Sequence, residues 1–178
     1  MLTPDDQERL LVLARLALDA RVREEPAPPM AGHGGLEEEL GAFVTIRCQG
    51  ELRGCLGQIE PRGPLWRAVM RLAAEVSHAD PRFEPVRADE LHAIDIEISV
   101  LTLPAEVPSI DAIQIGRHGV MVEQGRRRGV LLPHVAVERR WDGAAFVEHA
   151  CVKAGLEGDA WRRGARVLVF EAQVFGGG

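Results

Sequence analysis

Six residues, Leu52-Arg53-Gly54-Cys55-Leu56-Gly57, bring together a guanidinium, a thiol and two glycines. A thiol reacts as its thiolate, which a neighbouring arginine favours. In an extended chain alternate side chains share a face, so Arg53 and Cys55 point one way and Leu52 and Leu56 the other. Glycine allows a sharp bend or the close approach of another group to the backbone. The chemistry this pattern suggests is a small-molecule site: Arg53 holds an anionic group, Gly54 and Gly57 give room, and Cys55 acts as nucleophile or ligand. A base must then arrive by folding. In His78-Ala79-Asp80-Pro81-Arg82 a carboxylate stands close enough in sequence to orient the His78 imidazole, as general-base catalysis requires. His118 is the second candidate, within Gly116-Arg117-His118-Gly119, where Arg117 and turn N–H groups suit an anion. Asp80, Arg82 and Arg117 complete the expected ligand-binding set. The plainer alternative makes Cys55 a small core residue and pairs Arg53 with a carboxylate.

Other features carry less. His33 sits in the Pro- and Gly-rich stretch 25–35 and reads as a solvated loop histidine. His149 and Cys151 are two apart in an expected helix, so they do not share a face and do not make a metal site. Arg126-Arg127-Arg128 has no interleaved aromatics and reads as a solvated hairpin tip. With a formal charge of −6, five Phe, three Trp and no Tyr, nucleic-acid binding is the third choice. There is no phosphate-binding GxxxxGK[ST], dinucleotide GxGxxG, HExxH, GxSxG or paired CxxC. No metal and no cofactor are expected. Three cysteines without CxxC spacing suit a reducing, cytoplasmic setting, and no run is long enough to cross a bilayer.

The elements that must position these groups read as α+β. Thr3-Pro4-Asp5-Asp6 starts a helix that runs to about residue 23, with Leu10, Leu13, Ala14 and Ala17 on one stripe. Residues 42–48 and 51–59 form a hairpin around Gln49-Gly50. A two-residue turn there puts Cys48 and Cys55 on one face of the hairpin, where two reduced core thiols are expected in preference to a disulfide. A helix follows over 64–78, and then 94–103 alternates as a strand. Strands at 119–123 and 128–132, a helix at 142–154 ended by Gly155, and a strand at 166–175 complete the chain.

The second half echoes the first. Gln49-Gly50-x-x-Arg53-Gly54 recurs as Gln124-Gly125-x-x-Arg128-Gly129, and the same spacing of 75 separates Trp66 from Trp141. The expectation is a single domain over 1–178, with a mainly antiparallel sheet built from two hairpin–helix–strand units, 42–103 and 117–175, plus the N-terminal helix. Cys55 corresponds to Val130, so the thiol belongs to one unit only.

Taken together, Leu52–Gly57, Asp80-Pro81-Arg82-Phe83, Gly116-Arg117-His118-Gly119, Leu132-Pro133, and Trp141 with Cys151-x-Lys153-Ala154-Gly155-Leu156 resemble the AmmeMemoRadiSam system protein A family, the AMMECR-type domain. Leu56 stands where the family usually has Ile, and His134 where it usually has Gln. The resemblance implies an α+β fold of two related units, and bacterial and archaeal gene contexts beside a radical-SAM enzyme and a Memo-like protein. It supplies no reaction. The expected function is an enzyme or accessory subunit with a small-molecule site at Arg53-Gly54-Cys55-x-Gly57, working with those two partners. A non-catalytic protein-docking module is the alternative.

Overall fold

The computed structural model describes residues 2–27, 29 and 31–177, which form two compact units: 1–101 with 173–178, and 102–172.

The first unit opens with α1 (Pro4–Val22), started by a reciprocal cap in which Asp6 N–H donates to Thr3 Oγ1 and Thr3 N–H to Asp6 Oδ2. Its apolar stripe, Leu10, Leu13, Ala14, Ala17 and Leu18, is buried as the spacing requires. β1 (Gly41–Cys48) and β2 (Glu51–Gln58) are antiparallel, joined at Gln49 and Gly50, whose φ values are both positive, as a two-residue hairpin needs. α2 (Leu65–Val76) follows, and β3 (Ile94–Leu101) returns along the other edge of β1, giving the order β2-β1-β3. One core holds α1 and α2 against the sheet face of Ala42, Val44, Ile46, Ile94, Ile96 and Ile98.

One residue changes the expected face of the thiol. The β1–β2 register slips between Ile46 and Arg47, so Cys48 pairs with Glu51 but Thr45 pairs with Cys55. The extra residue on β2 is a bulge, and past it every side chain is shifted to the opposite face. Cys48 packs against the core, whereas Cys55 lies beside Thr45, whose direct partner on β3 is Glu97. The expectation of two thiols on one core face is therefore overturned. Both are free, since a disulfide needs side chains that face each other.

The second unit contains β4 (Ala105–Glu106), β5 (His118–Gln124), β6 (Arg127–Leu131), α3 (Pro133–Arg139), α4 (Gly143–Lys153) and β7 (Arg166–Gly176), whose last residues belong to the first unit. β5 lies between β6 and β7, with β4 on the far edge of β7, all antiparallel. The short helix α3 goes beyond the sequence expectation: Pro133 at its first position starts it and Arg140, at φ 54°, ends it. Val120, Val122, Phe146, Val147, Ala150 and Cys151 form the core. As in the first unit, the first hairpin strand is central and the strand after the helices returns to its free edge.

Both glycines of the echoed motif sit where a helix end touches a strand. A Cβ on Gly54 would lie 3.0 Å from Val76 Cγ2 and 3.1 Å from its carbonyl oxygen. On Gly129 it would lie 2.2 Å from Ala150 O and 2.5 Å from Ala154 N. The tryptophans are placed differently: Trp66 is inside α2, while Trp141 precedes the Asp142 cap of α4.

Candidate functional site

β2 ends the order β2-β1-β3, and the backbone N–H of Cys55 donates to Asp80 Oδ2 at 2.9 Å. A side-chain carboxylate thus satisfies a donor of this outer strand, as edge groups require. Asp80 follows α2 in the turn Asp80-Pro81-Arg82-Phe83. Its Oδ1 accepts from the Arg82 N–H at 3.1 Å, an Asx turn closed by Phe83 N–H to Asp80 O at 3.2 Å. Arg82 then folds back: Nε donates to Oδ1 at 2.9 Å and Nη2 to Oδ2 at 2.7 Å. The carboxylate is buried, 4 % exposed, with four donors on its two oxygens. The Arg82 guanidinium, with help from the Cys55 and Arg82 backbone N–H groups, holds it ionised far below the usual carboxylate range against the opposing effect of burial.

Cys55 is half-buried, and the Thr45 hydroxyl donates to its sulfur at 3.2 Å. Asp80 Oδ2 is shared, so the Arg82 guanidinium and the Cys55 backbone are only two hydrogen bonds apart. Thr45 was not among the residues that sequence reasoning picked out. Only the bulge brings it opposite Cys55, and nothing in the sequence marks that slip.

The other expected residues are placed as follows. Arg53 is spent within the protein: Nε and Nη2 reach Glu90 at 2.8 and 3.2 Å, Nη1 reaches Glu84 O at 2.9 Å, and Nη2 also reaches Pro85 O at 3.3 Å. Its side chain is 17 % exposed. Arg53 therefore clips the 84–90 segment to β2, and an anionic ligand would have to displace Glu90. Gly54 makes room for Val76, and Gly57 for the Phe43 ring, whose Cδ1 would lie 2.1 Å from a Cβ. Their space is filled by this chain.

The expected His78–Asp80 dyad is not formed. His78 Nδ1 faces Ser77 Oγ at 3.1 Å, and Asp80 is saturated by Cys55 and Arg82. His118 is in the second unit, where its Nδ1 accepts from Gln114 N–H at 3.1 Å and fixes the turn into β5. Arg117 pairs with Glu171 at 2.9 Å. Among the described residues no group of three or more His, Cys, Asp or Glu is placed to hold a metal ion, and no helix is long and apolar enough to cross a membrane. A cleft of about 610 Å³ lies elsewhere in the first unit, lined by Asp5, Glu8, Arg9, Val12, Leu36 and others, and shares no residue with the Cys55 group. The smaller constellation differs from that cleft in holding a half-buried thiol and a guanidinium in place by hydrogen bonds through Thr45 and Asp80.

The chain is similar across most of its length to archaeal proteins. Protein Mbar_A1807 of Methanosarcina barkeri is 40% identical over 185 residues, covering 98% of this chain and 92% of that one. Protein MK0488 of Methanopyrus kandleri is 43% identical over 188 residues, covering 98% and 89%. The crystal structure of Uncharacterized Protein PH0010 from Pyrococcus horikoshii superposes with a TM-score of 0.87 at 36% identity, over 98% of this chain and 93% of that one. The AMMECR1 family model matches residues 11–175, a span that takes in the Cys55–Asp80–Arg82 group, and the chain belongs to the AMMECR1 family.

Proposed function

We propose that Cys55, Thr45, Asp80 and Arg82 form a thiol-centred small-molecule site, through which the protein acts as an enzyme or as the accessory subunit of one. The observation that carries this reading is the shared Asp80 oxygen, which fixes a cation beside the backbone of a half-buried thiol that already accepts a hydroxyl hydrogen bond. Cys55 is the nucleophile or ligand, Thr45 orients its sulfur, and Asp80 is a positioning residue, not a base. Within this reading the protein works in the cytoplasm beside a radical-SAM enzyme and a Memo-like protein, as the family resemblance implies.

Iodoacetamide labelling followed by peptide mapping tests it. Cys55 is expected to be alkylated ahead of Cys48, which packs on the core, and well ahead of buried Cys151, whose thiol burial pushes up. A silent Cys55 in folded protein, or Cys48 reacting first, would overturn the reading.

A further inference from the structure

The hydrogen bonds of Arg82 use only one edge of its guanidinium. Nε and Nη2 face Asp80, and no hydrogen bond of the described structure uses Nη1 or the second hydrogen of Nη2. Those groups make the end-on fork, the edge with two parallel N–H donors that matches the oxygens of a carboxylate or phosphate. Exposure orders the two charges. The Arg82 side chain is 56 % exposed while that of Asp80 is 3 % exposed, so an approaching ion meets the guanidinium with the carboxylate behind it. Arg53, the expected anion reader, has no such edge to offer.

We propose that the small molecule taken at this site carries an oxyanion, a carboxylate or a phosphate, gripped end-on by Arg82 Nη1 and Nη2 so that its neighbouring atoms lie at Cys55 Sγ. This rests on the thiol-centred reading above and adds the chemical class of the ligand. Asp80 holds the fork in place from behind, and the Thr45 hydroxyl donates to the sulfur at 3.2 Å. The Arg82 pKa is raised chiefly by the hydrogen bonds it donates to Asp80, with smaller contributions from the nearby charges of Asp80 and Cys55.

Two alkylating probes of nearly equal size separate the claims: iodoacetamide, which is neutral, and iodoacetate, which carries the carboxylate. In both, the thiolate sulfur forms a bond to carbon as the carbon–iodine bond breaks and iodide leaves. The iodoacetate/iodoacetamide rate ratio at Cys55 is expected to exceed that of N-acetylcysteine amide about tenfold at low salt, a preference of about 1.4 kcal/mol. It should shrink as salt screens the charge. Arg82→Gln should bring the ratio to that of the model thiol. Arg82→Lys, which keeps a charge for Asp80 but loses the fork, should keep only part of the preference. Inorganic phosphate and acetate, titrated separately, should each slow iodoacetate more than iodoacetamide, and the stronger competitor identifies which oxyanion the fork prefers. If Cys55 reacts with iodoacetamide but shows the ratio of the model thiol, the oxyanion proposal fails and the thiol site stands. If Cys55 reacts with neither probe, the thiol site itself fails. The wild-type ratio decides the matter even if Arg82→Gln does not fold.

Discussion

Asp80→Asn is the sharpest perturbation, because its effect has both a size and a pH signature. The carboxylate offers four acceptor positions and all are used: two backbone N–H groups, from Cys55 and Arg82, and two guanidinium nitrogens. An asparagine of the same shape has one oxygen. Whichever way it turns, its NH2 faces one backbone N–H and one guanidinium N–H, leaving a buried donor unpaired at about 1–3 kcal/mol. The ion pair adds at most about 1 kcal/mol, because Arg82 is largely exposed and its charge is screened by water. The expected loss at neutral pH is therefore about 1–4 kcal/mol. The sign with pH follows from the depressed folded-state pKa. A carboxyl titrating lower folded than unfolded stabilises above the unfolded value, near 3.9, and loses that contribution as pH falls below it. The gap between wild type and Asp80→Asn should be flat from about pH 7 to pH 5. Below about pH 4 it should close by up to about 1.4 kcal/mol per pH unit, the limit for one proton. Urea unfolding followed by circular dichroism and tryptophan fluorescence, at several pH values, measures both. A gap under about 0.5 kcal/mol at neutral pH, or one equally large near pH 3, would refute the four-donor account.

Arg53→Lys keeps the charge but loses the fork that grips Glu90 and two carbonyls, and should cost about 1.5–3 kcal/mol in urea unfolding while leaving the Cys55 alkylation ratio unchanged. A loss of that preference with intact stability would restore Arg53 as the anion reader. Gly129→Ala drives a Cβ into main-chain atoms at 2.2 and 2.5 Å and should cost at least the upper end of the usual 1–3 kcal/mol of overpacking, about 3 kcal/mol. Gly54→Ala, whose nearest neighbour is a side-chain methyl at 3.0 Å, should cost about half as much, and equal losses in a thermal melt would contradict the helix-on-strand contact as described.

How legible this molecule is from its sequence depends on the range of the interaction that decides each feature. The Thr3 cap, the stripe Leu10, Leu13, Ala14 and Ala17, the positive-φ turn at Gln49-Gly50 and the alternation Ile94, Ile96, Ile98 are local, so spacing alone places them. α3 escapes because Pro133-His134-Val135-Ala136-Val137 is short and rich in β-branched residues, and its start rests on one proline. The candidate site is less legible. Asp80 and Cys55 are 25 positions apart and meet through a backbone donor, which no side-chain motif announces. Thr45 looks like any outward strand residue until the bulge sets it opposite Cys55. The histidines mislead for the complementary reason: His78 is near Asp80 in sequence, but the Asx turn aims that carboxylate at β2 and Arg82.

The two arginines of this region also show why residue type does not fix role. Arg53 and Arg82 each pair with a carboxylate side-on through Nε and Nη2, and they differ in what becomes of the remaining edge. On Arg53 the carbonyls of Glu84 and Pro85 occupy it, so every direction of the fork is used to hold backbone. On Arg82 the partner is locked by its own turn and the remaining edge points away from the buried carboxylate. A saturated, mostly buried guanidinium stabilises a loop, whereas one anchored from behind with a free outer edge is pre-organised, so less rotamer entropy is lost when an ion arrives. The bulge completes the arrangement, because without that extra residue Cys55 would face the helices with Cys48, on the opposite side of the sheet from Thr45.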